Sequence, residues 1–227
     1  QEARPDVQES TYTPTPANAA EGTQNAVPGV ETAVTIESGP SAINERNKAN
    51  NTLAYTLATN IDSIKTMDPV SQLSGMELNN RAVKPDQQMR TFFQKLGNKV
   101  FRKNLGEVQL NEYGIASMLN HKPLNRAKML SLAAVPDVIA SGQEISKNPN
   151  WKGRGYTSYI FAAPVKIGND TVYVAAVVDQ RPNNKFYLSE MVDSNGNYVR
   201  VNENPSGNSK SGVTDGGRTS AGDGFTA

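Results

Sequence analysis

The chain of 227 residues contains no cysteine and a single histidine, His121. The lack of cysteine excludes disulfides, thiolate nucleophiles and cysteine-ligated metal sites. With one imidazole, the chain cannot supply two histidines as the acid and the base of one reaction. The segment DSNGN at 193–197 is similar to the start of a calcium loop but lacks the terminal glutamate of that loop. No metal site and no cofactor are therefore expected.

Long apolar runs are also missing. No stretch approaches the roughly 18 apolar residues that cross a bilayer, so no membrane partner is expected. Only 37% of the residues are hydrophobic, against roughly 45–50% in an ordinary globular chain. Part of the chain is therefore expected not to pack into a core.

The net charge of +1 conceals an uneven distribution. Residues 1–45 hold one basic residue against seven acidic ones, a net charge of −6. Residues 81–160 hold 13 basic residues against five acidic ones, a net charge of +8. This asymmetry is typical of proteins that bind anions, and a solvated basic face is the alternative.

Composition divides the chain into four parts. Residues 1–45, rich in Pro, Thr, Ala, Glu and Asn, are predicted to form a disordered acidic arm. Residues 46–104 are predicted to be a helical lead-in segment, and residues 105–202 a folded domain. The Gly-, Ser- and Asn-rich residues 203–227 are predicted to form a flexible tail.

Apolar spacing predicts the helices. Intervals of four, four and three predict a helix within 45–65, and an apolar stripe predicts a second over 86–101. Further helices are expected over 112–120 and 124–135. Pro136 is expected to interrupt the last helix and to begin a new helical turn.

The period then changes to two, which predicts strands. A short strand is expected at 106–110, and longer ones at 157–167, 171–179 and 185–193. The pair Asn195-Gly196 predicts a hairpin into a last strand, NYVRV. Helices followed by antiparallel strands are the α+β pattern, here N-terminal helices packed on an antiparallel β-meander with disordered termini.

Three segments, 119–142, 150–167 and 181–193, resemble phage and mobile-element domains of the barnase–EndoU–colicin–RelE group, of the type associated with large polyvalent proteins. The resemblance extends over about 67–214, and its most specific part is NWKGRGY followed by YIFAAPV. It implies helices packed on a four-stranded antiparallel sheet. It also implies metal-independent RNA cleavage, RNA as a partner, and a location in the bacterial cytoplasm or a phage particle.

One departure from the group lies at the end of the last long strand. Related domains typically end it with Tyr-Leu-His-Glu, whereas this chain has Tyr187-Leu188-Ser189-Glu190. A serine cannot replace a histidine as an acid or base at neutral pH. The interpretation as an enzyme therefore depends on His121, which occupies the position of the leading histidine of these domains.

Metal-independent RNA cleavage needs a base for the 2′-hydroxyl, an acid for the leaving oxygen, and cations for the phosphate. Glu190 is the candidate base, His121 the candidate acid, and Arg154 of the KGRG loop the candidate phosphate ligand. The candidate substrate-binding residues are Lys122, Lys152, Tyr156, Tyr187 and Ser189. The alternatives are a helix-cap role for His121, an exposed turn for KGRG and packing for the tyrosines. Lys122, Arg126 and Lys128 are expected to be solvated helix charges, and the alternative for them is an extension of a basic groove.

Two functions follow. The first is an RNA-cleaving, endoribonuclease-like domain of a phage or mobile-element polyprotein, with the character of a toxin. The second is a catalytically degenerate module of the same fold that binds nucleic acid or protein, with an immunity protein or a virion protein as the partner.

Overall fold

The computed structural model describes residues 34–38, 53–121 and 124–203. The helices are α1 Leu53–Thr59, α2 Ile61–Ile64, α3 Pro85–Lys95, α4 Glu112–Asn120 and α5 Arg126–Ser141. The strands are β1 Val34–Ser38, β2 Ser71–Leu73, β3 Lys99–Arg102, β4 Gly106–Gln109, β5 Gln143–Asn148, β6 Thr157–Ile167, β7 Asp170–Gln180, β8 Asn184–Val192 and β9 Val199–Glu203.

Seven of these strands form one curled, mixed sheet. Its order is β2-β6-β7-β8-β4-β3, and β5 also pairs with β6. The β6–β7 and β7–β8 pairs are antiparallel, whereas β2 runs parallel to β6 and β4 runs parallel to β8. The prediction of a four-stranded antiparallel meander under N-terminal helices is therefore wrong. The long hairpin strands lie where the sequence predicts them, but short strands extend the sheet on both sides.

The sheet curls around α5. This helix contacts β2, β3, β6, β7, β8 and β9, and 12 of its 16 residues are buried. A helix enclosed on several sides loses its amphipathic stripe and becomes apolar around most of its circumference. Pro136 lies inside α5 and does not interrupt it. The missing N–H and the ring of an internal proline cost about 3 kcal/mol, and the burial of α5 offsets that cost.

The second predicted helix ends early. Residues 86–101 were expected to be helical throughout, but α3 ends at Lys95. Gly97 and Asn98 have φ angles of +71° and +58°, the left-handed region in which an α-helix cannot continue. The chain reverses there, and Lys99–Arg102 becomes β3, which pairs with β4.

The strand after the Asn195-Gly196 turn leaves the meander. The turn is held by the Asp193 carboxylate, whose Oδ1 accepts from the backbone N–H groups of Asn195 at 2.8 Å and Asn197 at 2.9 Å. Beyond it, β9 pairs antiparallel with β1. β1 falls within residues 1–45, where a disordered arm is predicted, and the rest of that arm lies outside the described residues. So does the predicted tail beyond Glu203.

α4 packs closely on β8 at Gly114. A Cβ atom on this glycine would collide with the Phe186 ring and lie 2.8 Å from the Phe186 carbonyl oxygen. The absent side chain therefore sets the distance between α4 and β8, and with it the position of every other α4 residue relative to the sheet. Among the described residues, no helix is long and apolar enough to cross a bilayer.

Gly114→Ala is expected to lower the free energy of unfolding by about 1–3 kcal/mol, because the added methyl group overpacks the contact with Phe186. Urea unfolding of the two proteins measures the difference. Ala116→Gly, at an exposed position of the same helix, is the control and should cost about 1 kcal/mol from helix propensity. A Gly114→Ala protein as stable as the parent would show that α4 does not pack on β8 at this distance.

Candidate functional site

A cavity of about 390 Å³ lies where β5–β8 meet α1 and the ends of α4 and α5. One wall is apolar and includes Leu53, Ile160, Val177 and Leu188. The polar residues that line it include His121, Lys128, Lys152, Arg154, Tyr156, Tyr187 and Glu190. Apolar walls with a few convergent polar groups are typical of ligand-binding cavities. All three candidate catalytic residues line this one cavity.

His121 is the C-cap residue of α4. Its Nδ1 lies 2.8 Å from the Ser117 carbonyl oxygen. A carbonyl can only accept a hydrogen bond, so Nδ1 must carry the proton, and Nε2 is the nitrogen left for chemistry. The exposed imidazole also meets the ring of Tyr187 edge-on, with a centroid separation of 5.7 Å. His121 therefore caps the helix and also lines the cavity.

Glu190 and Lys128 form a mostly buried ion pair beside the cavity. The Lys128 side chain is 7% exposed and the Glu190 side chain 18% exposed. Lys128 Nζ lies 3.3 Å from Glu190 Oε2 and donates to the His121 carbonyl oxygen at 2.9 Å. Burial raises the pKa of the Glu190 carboxyl above its ordinary value, and the Lys128 ammonium opposes that shift. One lysine therefore connects the candidate base to the backbone of the candidate acid.

The stability of the fold should depend on pH through Glu190. Folding raises the pKa of Glu190. The contribution of this carboxyl to the free energy of unfolding is therefore fully present below its pKa in the unfolded chain, about 4.3. It is lost as pH rises through its pKa in the folded chain. Relative to the parent, Glu190→Gln should therefore become more stable as pH rises above about 4, as measured by urea unfolding.

Glu112→Gln supplies a control of opposite sign. The Arg90 guanidinium lowers the pKa of the Glu112 carboxyl, so this carboxylate stabilises the fold at neutral pH and loses its contribution in acid. Glu112→Gln should therefore become less stable relative to the parent as pH rises. Equal pH dependence of the parent and Glu190→Gln would show that Glu190 titrates as an ordinary exposed carboxyl.

The KGRG loop presents side chains rather than backbone donors. Lys152 has a left-handed backbone, with φ of 51°. The N–H groups of Gly153 and Gly155 already donate to the backbone carbonyl and the side-chain Oδ1 of Asn150, at 2.9 and 2.8 Å. These two N–H groups are therefore engaged within the loop and do not point at a ligand. Lys152 and Arg154, both exposed and both lining the cavity, are the groups that can bind phosphate.

Tyr187 reaches the cavity because of a β-bulge. Val177 of β7 pairs with Leu188, and Val178 pairs with Phe186, so Tyr187 is an extra residue in β8. Strict alternation would place Tyr187 and Leu188 on opposite faces of the sheet. With the bulge, both line the cavity, and bulges often redirect side chains in this way beside functional sites.

Two candidate substrate-binding residues are not found at the cavity. Ser189 is fully buried, and its Oγ lies 2.9 Å from the Oγ of Ser131 on α5. Ser189, the position at which the resemblance leads one to expect a histidine, therefore points into the core and away from the cavity. Lys122 lies outside the described residues.

Sequence reasoning missed two residues of this region. Lys128 was expected to be a solvated helix charge, but it is buried. Asn125 caps α5 by accepting from the Lys128 N–H at 2.9 Å, which fixes the helix start and turns Lys128 and Ser131 toward β8. Arg181 was not considered, and it packs between the rings of Tyr113 and Tyr156. Among the residues that the structure describes, no group of three His, Asp or Glu could hold a metal ion.

The fold and the cavity define a small domain in which a curled mixed sheet packs around one helix and carries a cleft lined by basic residues. Residues 84–188 match the family model described as large polyvalent protein-associated domain 3. This match supports a polyvalent-protein-associated domain over that part of the chain. The matched range begins just before α3 and ends two residues before Glu190. No curated protein and no solved structure matches the chain.

Proposed function

We propose that the cavity binds single-stranded RNA and cleaves it, with Glu190 as the base and His121 as the acid. The observation that carries this proposal is that His121, Glu190, Lys152 and Arg154 line one cavity. Its volume of about 390 Å³ falls within the range of roughly 300–1,000 Å³ that small-ligand sites occupy.

The reaction needs only groups of this chain and of the RNA. Ionised Glu190 takes the proton of the 2′-hydroxyl, and the 2′-oxygen attacks the adjacent phosphorus. The bond from phosphorus to the 5′-oxygen breaks as protonated His121 gives its Nε2 proton to that oxygen. The products are a 2′,3′-cyclic phosphate and a 5′-hydroxyl. The neutral imidazole that remains keeps its proton on Nδ1, which is the tautomer that the Ser117 carbonyl holds.

The charges around Glu190 suit a general base. Burial raises the pKa of this carboxyl, which makes the carboxylate a stronger base than an exposed one. Lys128 at 3.3 Å opposes full protonation and keeps the group able to ionise. Arg154 and Lys152 supply positive charge for the phosphate, whose negative charge grows in the transition state.

Aromatic residues beside the cavity can hold the bases. Tyr156 and Tyr187 both line it and are both half-buried, so part of each ring remains accessible. Stacking on an aromatic ring contributes about 1–3 kcal/mol per base and tolerates any base. Binding is therefore expected to favour single strands with little sequence preference.

The test is incubation of the purified chain with total RNA in the presence of a metal chelator. Cleavage that leaves 2′,3′-cyclic phosphate ends is the expected result. Arg154→Ala should weaken it, because one phosphate ligand is lost. RNA that stays intact at every protein concentration would overturn the proposal.

A binding module without cleavage is the second candidate. It is favoured by the contact of Lys128 Nζ with Glu190 Oε2, which engages the group proposed as the base. Intact RNA together with salt-sensitive binding would support it. An acidic surface of an immunity or virion protein is the ligand of this module if no RNA binds.

A further inference from the structure

A second group of basic and aromatic residues adjoins the cavity. An open groove beside it is lined by Arg154, Gly155, Tyr156, Gln180, Arg181 and Pro182. Arg154 and Tyr156 line both the groove and the cavity. A ligand longer than one nucleotide that occupies the cavity would therefore meet the groove next.

Arg181 is held in a fixed position in this groove. Its guanidinium carbon lies 4.7 Å from the ring centroid of Tyr113 and 4.6 Å from that of Tyr156. Nη2 donates to both tyrosine hydroxyl groups, at 2.8 and 3.3 Å. Tyr113 in turn donates to Asp179 Oδ2 at 2.7 Å. The side chain is nevertheless 32% exposed, so a ligand in the groove can reach it.

The positive charge of the groove exceeds its negative charge. Two guanidinium groups, those of Arg154 and Arg181, line the groove. The nearby carboxylate is buried Asp179, whose Oδ2 lies 3.9 Å from Arg181 Nη2. That distance is too long for a strong charge-assisted hydrogen bond. Arg181 Nε is buried and has no hydrogen-bond partner.

Gln180 adds a neutral donor. Its Oε1 accepts from the Tyr159 hydroxyl at 3.1 Å, which leaves the NH₂ of the amide as the group available to a ligand. The Arg181 guanidinium and this amide donor form a set that matches the oxygens of a phosphodiester, with Arg154 adding positive charge beside them.

We infer that Arg181 and the Gln180 amide form a second phosphate subsite, which binds the phosphate next to the one that Arg154 and Lys152 hold in the cavity on the same polynucleotide. This inference rests on the proposed function for the identity of the ligand. It adds the length of the ligand, which is an oligonucleotide with at least two phosphates rather than a mononucleotide.

The test measures how a substitution at Arg181 and a change at one phosphate of the ligand together affect binding. The ligands are trinucleotides with 2′-O-methyl groups, which cannot be cleaved, and each internucleotide phosphate is replaced in turn by a neutral methylphosphonate. Arg181→Gln should weaken binding of the all-phosphate ligand by about tenfold, because a charge-assisted contact is lost. It should not weaken binding of the trinucleotide in which a methylphosphonate replaces the phosphate proposed to lie at Arg181.

Two variants control for folding and for general charge. Arg181→Lys keeps the charge in the groove and should bind the all-phosphate ligand more tightly than Arg181→Gln. Arg200→Gln removes an exposed arginine that lines neither the cavity nor the groove and should bind like the parent. Equal weakening of all ligands by Arg181→Gln, or no weakening of any, would overturn the inference.

The inference and the proposed function can fail separately. Cleavage of RNA without coupling between Arg181 and a flanking phosphate would remove the subsite and leave the RNase. If Arg181→Gln and the methylphosphonate have coupled effects on binding but the protein cleaves no RNA, the subsite is supported and the proposed cleavage is not.

Discussion

His121→Ala is expected to lower the rate of RNA cleavage by about two to four orders of magnitude, the usual contribution of a general acid. The reason is specific to one nitrogen atom. Nδ1 is bound to the Ser117 carbonyl oxygen at 2.8 Å, so only Nε2 can give a proton to the leaving oxygen. Single-turnover rates on a ribonucleotide substrate measure the effect.

His121→Asn separates the chemical role from the structural one. The amide nitrogen of asparagine can replace Nδ1 as a donor to the Ser117 carbonyl, but asparagine has no acid at the place of Nε2. It should therefore be as inactive as His121→Ala while it keeps the stability of the parent. A substrate whose leaving group is 4-nitrophenolate needs no protonation, and on it both variants should recover most of their activity. A His121→Asn protein with the rate of the parent would rule out the imidazole as the acid.

Lys128→Met is expected to lower the free energy of unfolding by about 3–5 kcal/mol at pH 8, because it leaves a buried carboxylate without its partner. The side chains of Lys128 and Glu190 are 7% and 18% exposed, so water cannot compensate fully for the lost charge. The bond from Lys128 Nζ to the His121 carbonyl oxygen is lost as well. The loss should be smaller in acid, where Glu190 is protonated, and urea unfolding at both pH values measures it.

Lys99→Met is the matched control for this prediction. Lys99 Nζ lies only 2.6 Å from Glu107 Oε1, but both side chains are more than half exposed. Breaking such a pair costs about 0–1 kcal/mol. The double variant Lys128→Met/Glu190→Gln should regain much of the lost stability, since no unpaired buried charge remains. If Lys128→Met costs no more than Lys99→Met, burial does not govern the Lys128–Glu190 pair.

The long elements of the fold are predictable because their patterns are local. The period of two predicts 157–167, which is the range of β6, and the short strand at β4 and the helix at α4 are also found where they are predicted. The parallel pairs β2–β6 and β4–β8 are not predictable in this way. Each matches only two or three residues across a large sequence separation, and periodicity within a strand does not specify a distant partner.

Three residues of the cavity can be selected from the sequence by their chemistry. His121, Arg154 and Glu190 stand out by type and by the resemblance, and they line one cavity. The burial of Lys128 and the position of the Tyr187 side chain depend on the packing of the fold, which the sequence does not show. The burial of Lys128 follows from the close packing of α5 against β8, and the exposure of Tyr187 to the cavity follows from one extra residue in β8.

The most direct test of an RNA-cleaving cavity uses an oligodeoxynucleotide with a single ribonucleotide, incubated with the parent chain in a metal chelator. Because the proposed nucleophile is the 2′-hydroxyl, we expect one cut, directly after the ribose, with a 2′,3′-cyclic phosphate on the upstream fragment. The all-DNA version should stay intact. A chimeric strand that stays intact, or equal cutting of the two strands, would contradict the roles given to Glu190 and His121.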